Sequence, residues 1–236
     1  MEREYDKIDP GQYETRYERI PREGYLHNHW YPLIEMAISK YCKRKMVLDL
    51  GCGTGVYTQI VAENTDRVLG LDISEVMLSY AKSRHLNLRL VLADAHHIPS
   101  EDKSIDTVVC IGLFEYIQRA TVLKEINRVL RSDGICIISV PNRYSAARMP
   151  GKIICKILGK RYPCKEPSYR EMLRLFEVSG FKVIESRMDD GLIWLPDFLD
   201  RLIGKRVYFS VERFFKIFGR NPFSNVMLFV VRKENR

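Results

Sequence analysis

The sequence contains no Cys-x-x-Cys pair. Its six cysteines, Cys42, Cys52, Cys110, Cys136, Cys155 and Cys164, stand apart, and several fall inside apolar, strand-like runs. They read as reduced, mostly buried thiols of a cytosolic protein rather than as a disulfide framework. No apolar run approaches the roughly 18 residues that suggest a membrane-spanning helix. The first thirty residues are charged and aromatic, without the apolar core or small-residue cleavage site of an export signal. A cytoplasmic protein follows as the expectation, with peripheral contact at a membrane left open. Internal repeats and low-complexity segments are missing too.

What is present is 236 residues with 46% hydrophobic content, enough for one sizeable α/β core but short for two. The reading is a single domain over 1–236, made of an N-terminal helical cap at 1–44, a core at 45–188 and 225–236, and a helical insertion at 189–224. A formal net charge of +8 suits an anionic acceptor, a nucleic acid or an acidic membrane surface, and a solvated basic face is the plainer explanation.

From residue 46 onward short β-rich runs alternate with helical patterns, which argues for a parallel sheet covered by helices on both faces. The runs are 46–50, 67–71, 88–92, 105–111 and 134–140, followed after a change of character by 182–188 and 225–232. Most carry Val, Ile or Leu at successive positions, as strands buried on both sides do. Ser74 is placed to cap a helix bearing Val76, Met77, Tyr80 and Ala81, and Val122, Leu123, Ile126, Val129 and Leu130 form an apolar stripe ending near Gly134. Residues 141–167 form a basic connector too long for a simple loop, so helix is expected within it. A helix over 169–178 closed by Gly180 comes next. Within the insertion, Val207, Val211, Phe214, Phe215 and Phe218 share one helical face.

The strongest local signal is Val47-Leu48-Asp49-Leu50-Gly51-Cys52-Gly53-Thr54-Gly55, a buried strand running into three alternating glycines and then a helix. Glycine permits positive φ and lets a ligand approach bare backbone, near the positive end of the following helix. A dinucleotide-binding loop starts similarly but needs a third small residue, and Val56 or Thr58 stands at that position. The D-x-G-x-G-x-G pattern suits a zwitterionic amino-acid group instead.

Four motifs in order, VLDLGCGTG, LGLDIS, LADAHHIPSEDKSIDTVV and LKEINRVLRSDGICIISVPN, resemble the class I S-adenosylmethionine-dependent methyltransferases, particularly the group that includes the ubiquinone and menaquinone biosynthesis enzymes. The resemblance is close over about residues 44–142 and weaker over 169–188. It implies a Rossmann-like, mostly parallel seven-stranded sheet with helices on both faces and an antiparallel last strand. It implies S-adenosylmethionine as cofactor, with S-adenosylhomocysteine as product. By the same resemblance Asp49 and the backbone of Gly51, Gly53 and Gly55 hold the methionine amino and carboxylate groups, and Asp72 accepts both ribose hydroxyls. Ile73 and Met77 would line the adenine, Asp94 would accept from its exocyclic amine, the Ala95 backbone would donate to a ring nitrogen, and Ile111 completes the cofactor set. Taken one at a time, Asp72 and Asp94 are equally readable as helix caps, and Met77 as core.

Methyl transfer from a sulfonium is an in-line displacement, so alignment and exclusion of water can supply much of the rate without a dedicated catalytic residue. The acceptor is expected over the ends of the fourth and fifth strands, near Glu115, Tyr116 and Asn142. Similar enzymes often carry Glu-His where this chain has Glu115-Tyr116, which weakens a histidine base, and packing under the loop is the expected role of Tyr116. His96 and His97 are weaker candidates, supported only by near-neutral titration. Tyr17 and Trp30 lie in a region that covers the cofactor in similar enzymes, and a packed amphipathic helix explains them equally well. His27 and His29 form His-x-His with no matching ligand cluster, so no metal is expected.

A small-molecule or lipid-like acceptor is the favoured partner, and nucleic acid the less favoured one. The place after the fourth strand reads Ile111-Gly112-Leu113-Phe114 instead of the Asn/Asp-Pro-Pro-aromatic turn of adenine-amine methyltransferases, and Pro163-Cys164 lies in the connector. An RNA methyltransferase or a non-catalytic S-adenosylmethionine-binding protein stand as the alternatives.

Overall fold

The computed structural model describes residues 8–19, 21–84, 87–145, 148–160, 162, 165–188 and 226–234, with only the backbone over 15–19 and 21–29. The insertion expected at 189–224 lies outside the described residues. The element order is α1 (Pro10–Arg19), α2 (Pro21–Tyr41), β1 (Val47–Leu50), α3 (Val56–Ala62), β2 (Val68–Asp72), α4 (Glu75–Arg84), β3 (Leu90–Leu92), β4 (Ile105–Ile111), α5 (Arg119–Val129), β5 (Leu130–Pro141), α6 (Met149–Ile157), α7 (Tyr169–Val178), β6 (Phe181–Met188) and β7 (Val226–Lys233). The strands form one seven-stranded sheet in the order β3-β2-β1-β4-β5-β7-β6. β1 pairs in parallel with both β2 and β4, whereas β7 is antiparallel to β5 and to β6.

Neighbouring strand residues point to opposite faces, and the sequence supplies an apolar side chain for each. Leu48, Val108, Ile138 and Phe229 face one core with α5 and α7, where Phe229 meets Phe176 edge-on at 5.2 Å between ring centroids. Val47, Val109, Ile137, Leu228 and Val230 face the other, against Ile60 and Val61 of α3 and Trp30, Ile34, Ala37 and Ile38 of α2. The α2 spacing of four, three and one residues is a single helical face, so α2 is an integral layer of the core. α1 instead lies beside α4, where Glu14 accepts from the Tyr80 hydroxyl at 3.4 Å.

Two local expectations need correction. The apolar stripe of α5 stops at Val129, and Leu130 already pairs with Ile105 as the first residue of β5. Asp133 has φ +60°, and a Cβ on Gly134 would lie 2.9 Å from the Arg131 carbonyl oxygen, so this stretch is an irregular bulge within β5 and not a helix end. The third strand is also shorter than its apolar run, beginning at Leu90. The connector contains the expected helix as α6, and α7 carries a capping box in which Ser168 and Glu171 satisfy each other's amides.

Candidate active site

In this strand order the chain turns opposite ways from β1 and β4, which leaves a crevice beyond their carboxyl ends. The glycine loop opens into it. Gly51, Gly53 and Gly55 have φ of +78°, +52° and +84°, and the Gly51 and Cys52 amides both donate to the Leu71 carbonyl at 2.7 and 3.0 Å. The glycines serve different ends. A Cβ on Gly51 would meet the Leu113 side chain at 3.1 Å, whereas a Cβ on Gly53 would have nothing within 4 Å. Gly53 is thus the point where a ligand can reach bare backbone.

Asp72 bonds that point directly, and Asp49 lies in the strand that leads to it. Asp49, 2% exposed at the end of β1, accepts the Thr58 hydroxyl at 2.6 Å. Burial pushes its carboxyl up to about 7; the Thr58 hydrogen bond opposes this and the charge of Asp72 adds to it. Asp72, at the end of β2, accepts the Gly53 amide at 2.8 Å on one oxygen and the Ser74 amide at 2.9 Å on the other. Asp72 thus ties the glycine loop to the residue that precedes α4. Ser74 is buried and caps α4 through the Met77 amide at 3.4 Å, as expected.

The remaining cofactor candidates sit around the same edge. Met77 and Ala95 are buried, while Ile73 and Ile111 are half-buried. Asp94 follows β3 with its side chain half exposed and accepts both the His96 amide at 2.9 Å and the His96 ring at 2.6 Å. Desolvation pushes the Asp94 carboxyl up, but these bonds and the nearby His96 and His97 rings outweigh it and hold it below its ordinary value. The other His96 ring nitrogen accepts the Gln118 amide at 3.3 Å, so both nitrogens of this weaker base candidate are occupied.

After β4, the β4–α5 turn carries Glu115, whose Oε2 is buried and meets no hydrogen-bond partner among the described residues. Burial pushes this carboxyl up to about 7, against the Glu115 amide and the charges of Arg148 and Arg119, with Glu166 adding to the rise. A strap crosses the turn: the Lys165 amide donates to the Glu115 carbonyl at 3.3 Å, and Arg119 donates to the Phe114 carbonyl at 2.8 Å and to the Lys165 carbonyl. Glu166 is buried and pairs with Arg148 at 3.1 Å and with Lys152. Asn142 is buried and accepts the Tyr144 amide at 3.2 Å, shaping the turn after β5. Tyr116 is 50% exposed, which corrects the expectation that it packs under the loop. Trp30 is packed between α2 and the sheet; the side chains of Tyr17, His27 and His29 lie outside the described residues. Thr58, Arg119 and Glu166 escaped the sequence reading, because hydroxyl and charged residues on helices and connectors carry no local sign of what they meet.

Residues 48–138 match a family model described as a methyltransferase domain. A demethylmenaquinone methyltransferase of Staphylococcus aureus is 30% identical over 183 residues, covering 66% of this chain and 75% of that protein. A protein of Mycolicibacterium smegmatis described as an S-adenosylmethionine-dependent methyltransferase is 28% identical over 160 residues, covering 66% of this chain and 60% of its own length. Two relatives from Mycobacterium tuberculosis are likewise matched over only 47% of their length. Among solved structures, a chain of the complex between the Haloferax volcanii Trm112 methyltransferase activator and a methyltransferase superposes with a TM-score of 0.71 at 19% identity, with 100% of both chains covered. The motif order, the sheet topology and these relatives agree: the chain belongs to the class I S-adenosylmethionine-dependent methyltransferases.

Proposed function

We propose that this protein transfers a methyl group from S-adenosylmethionine to a small-molecule or lipid-linked acceptor held over the ends of β4 and β5. The observation that carries the reading is the open approach to Gly53, whose amide is held by Asp72, at the end of a strand that carries the buried Asp49. A zwitterionic tail would lie along this loop, its carboxylate over the bare backbone at Gly53, whose own amide is held by Asp72, and its ammonium toward Asp49. The two oxygens of Asp72 suit a pair of ribose hydroxyls, since a carboxylate offers acceptors on both. Ile73 and Met77 then flank the base, with Asp94 and the Ala95 amide at its polar edge and Ile111 at the floor. For Asp94 to accept an exocyclic amine it shares or exchanges its bond to His96. When bound, S-adenosylmethionine supplies a methyl carbon made electrophilic by the sulfonium. The chain's own part is to align the acceptor, exclude water and, for a protic acceptor, receive a proton at Glu115 Oε2.

A small or lipid-linked acceptor is supported by the S. aureus relative, named a demethylmenaquinone methyltransferase. Incubation with methyl-labelled S-adenosylmethionine and fractionated cell extract tests the proposal. Label is expected in the organic fraction. Label in RNA alone would favour the RNA alternative, and cofactor binding without transfer to any fraction would favour a non-catalytic binding protein.

A further inference from the structure

α6 is turned with its apolar side outward. Met149, Ile153 and Ile157 follow one another at single-turn spacing, Ile154 and Leu158 lie beside them, and together they span about half the helix circumference. All five are exposed, Ile157 by 77% and Leu158 by 60%, and no residue of α6 is buried. A helix on a globular core ordinarily turns such an arc inward. Here the inward side is polar, and the bonds that set its roll are visible. Lys152 donates to the Arg143 carbonyl at 2.6 Å and pairs with Glu166, whose side chain is 2% exposed; Arg148, just before the helix, takes the other Glu166 oxygen. One buried carboxylate thereby holds the helix by its lysine side.

The rim of the arc decides what can cover it. Lys156 and Lys160 are exposed and pair with no carboxylate among the described residues, and residues 149–160 contain no acidic residue. A second copy docking through this face would bring like charges together. An anionic lipid surface complements both features, with apolar side chains among acyl chains and ammonium groups at the headgroups. We propose that α6 is a membrane-docking helix for anionic lipid. Resting on the proposed function, it also delivers lipid-linked acceptors to the neighbouring turn of Asn142 to Ser145, where Tyr144 is exposed.

Co-sedimentation of the full chain with phosphatidylglycerol vesicles and with phosphatidylcholine vesicles, without cofactor or acceptor, tests the docking surface. Binding to the anionic vesicles is expected, weakening as salt is raised. Ile157→Ser with Leu158→Ser should lower it about tenfold or more, and Lys156→Glu and Lys160→Glu about fivefold each. Ile157→Leu should bind as the parent does. These positions are exposed, so circular dichroism and thermal unfolding should be unchanged. No vesicle binding, binding indifferent to these variants, or a dimer in solution that Ile157→Ser dissociates would each overturn the proposal. Because no methyl donor is present, this result and the label-transfer result can fail independently.

Discussion

The amide of Gly53 donates to the Asp72 carboxylate across 2.8 Å, tying the loop after β1 to the end of β2. The group proposed to grip the ribose thus already organises the backbone proposed to receive the amino-acid tail. Asp72→Ala removes both functions. Cofactor affinity by calorimetry should fall about 100-fold or more, from the loss of two hydrogen bonds to a charged acceptor. Stability in urea should fall by about 1–3 kcal/mol, because the Gly53 and Ser74 amides lose their partner.

The two nearest glycines should respond differently to the same substitution. At Gly53 an added methyl meets nothing, so Gly53→Ala should cost only the left-handed backbone strain of about 1–2 kcal/mol, yet block the cofactor's approach. At Gly51 the methyl also presses on Leu113 at 3.1 Å, so Gly51→Ala should lose roughly 1–3 kcal/mol more. Urea unfolding paired with cofactor titration separates the two effects.

Asp49 gives a pH signature. The folded protein keeps its proton up to about 7, whereas an unfolded chain releases it near the ordinary value of 3.8. The folded state therefore binds more protons between those values, and this residue's contribution to stability falls as pH rises through that window. Cofactor binding should move the other way, strengthening as pH rises through about 7 and Asp49 ionises to face the ammonium. Calorimetric titration across that range checks this. Asp49→Asn should remove the dependence, and Thr58→Val, which deletes the hydroxyl holding the carboxyl down, should shift it to higher pH.

Glu115 is the chain's candidate proton acceptor. With its carboxyl near 7, kcat for a protic acceptor should rise with pH through that value. Glu115→Gln should flatten the profile and lower kcat by about 10²–10⁴-fold, while cofactor affinity stays unchanged. An unaltered pH profile in the variant would exclude the proton role.

Glu166→Gln tests the anchor of α6. The partners Arg148 and Lys152 are partly exposed, with side-chain exposures of 29% and 22%, so the loss should be about 1–3 kcal/mol in urea, below that of a fully buried pair.

The sheet was legible where strand and period coincide. β4 was read with its observed ends, and the glycine loop with its carboxylates followed from spacing and resemblance. The end of α5 was not, because Leu130 fits the helical stripe as well as the strand, and only its pairing with Ile105 decides. The outward roll of α6 was hidden for a related reason: its periodicity shows an apolar side, but the direction of that side depends on Glu166, beyond the helix in the chain. Tyr116 is exposed, a property that its aromatic character alone does not announce in the sequence.

β7 runs antiparallel between β5 and β6, with Met227 opposite Met188 and Val226 opposite Pro141. The chain consequently departs from the sheet at 188 and rejoins it at 226 along the edge where β5 ends at Pro141. The two ladders fix the register of β7 from both sides, so that register is set by pairing partners already present in β5 and β6 and not by the length of chain between 188 and 226.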